Sequence, residues 1–274
     1  MVLLRFWTAF VLTAATCSAG TLDNVFNRLY NFDFPGAHRM LDEYLVVNPN
    51  DAFGHSVRAS TYLFSELDRL RILEGEFLTD DKKISGDDKL LPDPAIRQKL
   101  FASIDKAQAL AEARLKTNPE DSMARFSFCL TEGLRTDYMA FVEKKQLRSL
   151  FAAKKGHAYA VDLLKRDPEF VDALLTTGIS EYLIGSLPFF VKWVVRFDQV
   201  KGSKAQAIAN MEKVAESGRY LGPFARIMLA IIHLREKRPE RSIQLLADLT
   251  RDFPENHLLR KELARVRLKQ SGGG

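Results

Sequence analysis

The sequence predicts an all-α fold, an array of antiparallel helix pairs, on three observations. From Leu22 onward apolar residues recur at helical spacing, while β-branched alternation and Asn-Gly hairpin signals are missing. Four helix ends read alike: "VVNPNDAFGH", "KTNPEDSMAR", "KRDPEFVDAL" and "TRDFPENHLL". Each carries a proline (Pro49, Pro119, Pro168, Pro254) that cannot continue the helix before it, then an Asp, Glu or Asn that favours a new helix start. The residue ten positions past each proline, Ala59, Cys129, Gly178 or Ala264, is small.

In chain order, the first segment reads as a leader. "MVLLRFWTAFVLTAATCSAG" has one early cation, Arg5, an apolar run from Phe6 and small residues at its end. Cleavage after Ala19 is expected, with Cys17 and Ala19 as the small residues that precede it. The run is shorter than the roughly 20 residues that span a bilayer. The chain is therefore expected to be exported, periplasmic or secreted. A lipoprotein reading would acylate Cys17, but Thr16 before it fits that pattern poorly. Removing residues 1–19 leaves Cys129 as the one cysteine, so packing and not a disulfide must stabilise the fold.

The pattern then predicts helices near 22–33, 35–48, 51–75, 94–117, 120–135, 138–166, 169–184, 187–198, 203–217, 223–236, 239–252 and 255–269. One repeat domain is expected over 20–270, with a loop insertion at about 76–93. The closing "SGGG" (271–274) reads as a flexible tail.

The small residues have a physical purpose. A helical Gly costs roughly 1 kcal/mol against Ala, so Gly178 needs compensation. Close approach of a neighbouring helix at its crossing would supply it. The same position makes Cys129 a small apolar packing residue and not a nucleophile.

Proline-ended second helices and small crossing residues resemble the tetratricopeptide repeat (TPR) family, whose period is about 34 residues. Pro49 to Pro119 is 70 residues, Pro119 to Pro168 is 49 and Pro168 to Pro254 is 86. The spacing therefore needs one longer repeat and one insertion. The last unit matches best, at Leu229, Ala230, Ser242, Leu246 and Pro254; the first matches at Phe34, Ala37, Leu41 and Pro49. The family's tryptophan in the first helix is replaced by His55, Arg125 and Leu174. "GLRTDY" and "GSLPFFVKWVVRF" are also similar to stretches of exported bacterial proteins of this family. The resemblance implies a right-handed α-solenoid that binds a protein or peptide partner on its concave face. Its groove-facing positions fall on Phe53, Met123, Phe126, Leu175, Ile179 and Tyr182. They make an apolar, aromatic groove, without the Lys/Asn/Arg set that would hold a terminal carboxylate.

Two stretches depart from the repeat. "GEFLTDDKKISGDDKLLPDP" (75–94) carries Asp80, Asp81, Asp87, Asp88 and Asp93, but as adjacent pairs with lysines between. A calcium loop needs alternating oxygens, a glycine turn and a late glutamate, so a solvated connection is expected. "SLPFFVKWVVRF" (186–197) puts Phe189, Trp193 and Phe197 four residues apart, with Lys192 and Arg196 on a neighbouring face. This helix is expected to pack between repeats; alternatively it lies against a membrane surface or a protein partner.

The composition is 46% hydrophobic and 27% charged, which excludes wholesale disorder. The net charge of +5 is mild over 274 residues, and its cations alternate with acids, so no nucleic-acid surface is expected. His38, His55, His157, His233 and His257 are scattered, without metal-site spacing. No Gly-x-Ser-x-Gly elbow, Walker loop or Gly-x-Gly-x-x-Gly occurs, and Glu181 is a lone carboxylate. The expectation is a binding protein with no cofactor, metal or catalytic residue.

Overall fold

A computed structural model describes residues 9–74, 91–186 and 203–271, with side chains from Gly20 onward. Among these residues the chain is all-helical. The helices are α1 (Ala9–Tyr30), α2 (Phe34–Val47), α3 (Ala52–Arg69), α4 (Pro94–Thr117), α5 (Ser122–Asp137), α6 (Gln146–Arg166), α7 (Ala173–Ser186), α8 (Lys204–Ser217), α9 (Gly222–Arg235), α10 (Pro239–Asp252) and α11 (His257–Ser271). A π-helical turn, Tyr138–Val142, extends α5. Each helix packs on its neighbour in sequence. The helix expected near 187–198 and most of the 76–93 insertion lie outside the described residues, as do residues 1–8 of the leader.

Two kinds of turn alternate. Where α1, α3, the α5 extension and α9 end, one residue takes a left-handed backbone: Phe32 (φ 63°), Arg71 (φ 60°), Lys144 (φ 56°) and Lys237 (φ 57°). After α1, α3 and α9 the next amide returns to a carbonyl inside the helix: Asp33 N to Arg28 O, Ile72 N to Leu67 O and Arg238 N to His233 O. This closure favours glycine, yet none of the four is glycine, so no glycine marks these ends. That is why a single helix was expected over 138–166, where the structure has a π-turn, a left-handed Lys144 and a new helix from Gln146.

The other turns are the proline turns. Asp51 accepts hydrogen bonds from the amides of Phe53 and Gly54, Asp121 from Ala124, and Asn256 from Leu258 and Leu259. Each cap lies two residues past its proline. Six residues past, His55, Arg125 and Arg260 reach back to the carbonyls of Pro49, Pro119 and Pro254. These three polar side chains thus tie each turn to the helix that follows it. The Pro168 turn differs: Phe170 takes the capping position and α7 starts later, at Ala173.

Helix crossings follow the small residues with one exception. A Cβ on Gly178 would sit 3.0 Å from Ala207 O and 3.0 Å from Met211 Cγ, so the missing side chain lets α8 approach α7. Ala59 and Cys129 are fully buried. Ala264 is exposed, because α11 is the last helix and no described helix crosses it there.

The array does not end freely. Asp23 on α1 pairs with Arg219 at 3.0 Å, and the Tyr30 hydroxyl donates to Tyr220 O at 2.8 Å. Asn256 Nδ2 donates to Tyr30 O at 2.8 Å, and Lys261 on α11 pairs with Glu74 at 3.1 Å. The Phe64 and Phe224 rings meet at 5.6 Å. The first and last helices therefore close on each other.

Candidate functional site

The interior formed by this closure is aromatic. Phe26 of α1 lies 6.2 Å from Phe53 and 5.2 Å from Tyr220, ring centre to ring centre. Phe53 meets Phe126 at 5.6 Å and Tyr220 at 4.8 Å; Phe126 meets Phe170 at 4.9 Å. Such tilted contacts add about 0.5–1.5 kcal/mol per pair to the burial of the rings. The α1 residues that enter this interior are Leu22, Val25, Phe26 and Leu29. Their i, i+3, i+4, i+7 spacing is that of an amphipathic helix lying in a groove.

This corrects the expected open groove. Phe53, Phe126, Leu175 and Tyr182 are buried, and Met123 and Ile179 are half-buried against the same core. All six belong to one apolar interior, but α1 and the turn residues Phe170 and Tyr220 cover it. The Tyr182 hydroxyl donates to Glu236 at 3.0 Å, and Lys204 pairs with the same carboxylate at 2.8 Å. Reading the six as groove-lining took the first helix as one more repeat element. The amphipathic spacing of Leu22, Val25, Phe26 and Leu29 was legible, but their contact with residues two hundred positions away was not. Phe189, Lys192, Trp193, Arg196 and Phe197 lie outside the described residues.

Asp172, which sequence reasoning missed, locks the turn beneath Tyr220. Its carboxylate accepts the backbone amides of Arg219, Tyr220 and Leu221 at 2.8–3.3 Å. Burial pushes its pKa up against the opposing pull of those amides. A Cβ on Gly218 would meet Val214 O at 2.7 Å and Asp172 Oδ1 at 3.0 Å, so this turn accepts only glycine without moving.

Two polar clefts open at the seam. One, of about 290 Å³, is lined by Asp68, Arg71, Glu74, His257, Leu258 and Lys261. Lys261 and Arg71 hydrogen-bond Glu74 and hold its carboxyl below the usual range, while burial raises Asp68. The other, of about 310 Å³, is lined by Asn24, Asn27, Arg28, Asn31, Asp33, Met40 and Glu255.

The remaining perturbed groups stand apart. Burial pushes the Cys129 thiol well above its ordinary value, which leaves it unreactive. Burial raises Asp137 to about 7, raises Glu181 and lowers His157. No charged partner contributes to any of these three shifts. Among the described residues no group of His, Cys, Asp and Glu could hold a metal ion, and no helix is long and apolar enough to cross a membrane. Among known proteins, no family model, no curated protein and no solved structure matches the chain.

Proposed function

We propose that this chain is a non-enzymatic scaffold of the bacterial cell envelope, built from TPR-like helix pairs, that binds a helical segment of a protein partner on its inner aromatic face. One observation carries the reading. The inner face of α3 and α5, with Phe53 and Phe126, already holds an amphipathic helix, α1, by four anchors at groove spacing. A partner segment with the same spacing would take the place of α1.

The test is a labelled peptide of residues 20–33 added to wild-type protein and to a Phe26→Ser variant that loosens α1. The peptide should bind the variant more tightly than the wild type, and Phe126→Leu in the variant should weaken it. No binding to a variant that keeps its helical circular dichroism would overturn the proposal.

A further inference from the structure

We propose that the outward face of the first turns of α6 is a contact surface for an anionic phospholipid layer. This surface is distinct from the inner aromatic face and does not rest on the reading above. Residues 144–155, "KKQLRSLFAAKK", carry five cations and no acid. The helix is turned contrary to its own hydrophobicity. Its buried side is made of Ser149, Ala152 and Gly156, while Leu147 and Phe151, one turn apart, point outward at 65% and 63% exposure. A helix serving only the core would place the Leu and Phe inward.

The small buried residues allow close seating on α5, where a Cβ on Gly156 would be only 3.4 Å from Glu132 Cβ. Large apolar side chains are thereby left on the outside. Arg148, Lys154 and Lys155 share that exposed stripe. Two acids beside these turns are engaged by cations. Glu143 takes Arg97 at 3.0 Å and Lys145 at 2.8 Å, and Glu132 takes Lys155 at 2.7 Å. Arg148 makes no ion pair among the described residues. The stripe thus sets the exposed side chains of Arg148, Lys154 and Lys155 around two exposed apolar ones. That combination suits a leaflet whose phosphates attract cations and whose acyl boundary accepts Leu and Phe. An acidic protein partner would satisfy the cations but would leave the two apolar residues unexplained.

The experiment is co-flotation of the full chain, and in parallel of the chain from Gly20, with vesicles. Phosphatidylcholine alone is compared with phosphatidylcholine containing phosphatidylglycerol. Wild type should float with the anionic vesicles only and be released by high salt. Phe151→Ser and the pair Arg148→Glu/Lys154→Glu should each lower the partition coefficient by roughly tenfold or more. Both changes are on exposed positions, and unchanged thermal melting would confirm that each variant is folded. Three results would overturn the assignment. They are equal binding to both vesicle types, binding unaffected by either variant but lost with Trp193→Asp, and retention on immobilised polyglutamate without vesicle binding.

Discussion

Asn256 donates its side-chain amide to the carbonyl of Tyr30 at 2.8 Å, across 226 positions of the chain. The same side chain caps α11 through its oxygen. One residue thus both starts the last helix and fastens the first. Asn256→Ala should lose about 2 kcal/mol, the sum of a cap and a buried hydrogen bond. Urea denaturation would measure it. Asn256→Asp should keep the cap but lose the tie, and so fall between the two.

Glycines should sort by the space around them. Gly133, inside α5, has nothing within 4 Å of a Cβ, so Gly133→Ala should stabilise by about 0.5–1 kcal/mol. Gly218→Ala should destabilise by about 2 kcal/mol, because its Cβ meets backbone and the Asp172 carboxylate. Thermal melting of the two variants should move in opposite directions.

Glu66 is a fully buried carboxylate. It accepts hydrogen bonds from Arg69 and from the amide of Asp93, while Arg69 also donates to Leu91 O. It therefore fastens the backbone just before α4 to α3. Glu66→Ala should cost about 2–3 kcal/mol; the half-exposed Arg69 keeps the value below that of a fully buried pair. Hydrogen exchange should show the Asp93 amide losing protection first.

Stability should depend on pH with two signs. Burial raises Asp137 to about 7, above its value in an unfolded chain. The folded state therefore holds this proton more tightly, and stability falls as pH rises from about 4 to 7. Asp68, Asp172 and Glu181 are also raised and add to this limb, so Asp137→Asn should make it shallower without removing it, read as the difference between urea midpoints at pH 5 and pH 8. Glu74, Asp33, Asp121 and Glu143 are lowered. Their contribution is present above the ordinary carboxylate range and is lost as pH falls through their folded values. The Asp137 variant should leave that acid limb unchanged.

Much of the fold was legible because helix signals are local. The spans of α2, α4, α8, α9 and α10 follow apolar spacing, with prolines, caps and breaks at their ends. The close approach of α8 to Gly178 could be anticipated because a helical glycine needs a compensating neighbour. The missed boundary at Lys144 has an equally local cause. A left-handed residue that is not glycine leaves no compositional mark.

The candidate site was legible only in part. Its residue types, an apolar and aromatic set on the first helices of successive pairs, could be read from Phe53, Phe126 and Tyr182. Their accessibility could not, because it depends on where α1 lies. Asp172 gave no signal, since a carboxylate that caps three amides 47 to 49 positions away looks like any acid near a helix start. Ala264 shows the converse: it has the right size at the right spacing but no helix to cross.

By itself, then, the sequence determined the all-helical class and most helix ends. These depend on backbone hydrogen bonds and side-chain periodicity within a few turns. Only the tertiary structure decided that the first helix fills the interior, that the end of α1 meets the cap of α11 at Tyr30 and Asn256, and that α6 turns its Leu and Phe outward. Those outcomes depend on which surfaces become neighbours after packing, and a contact between residues two hundred positions apart leaves no periodic trace in either segment.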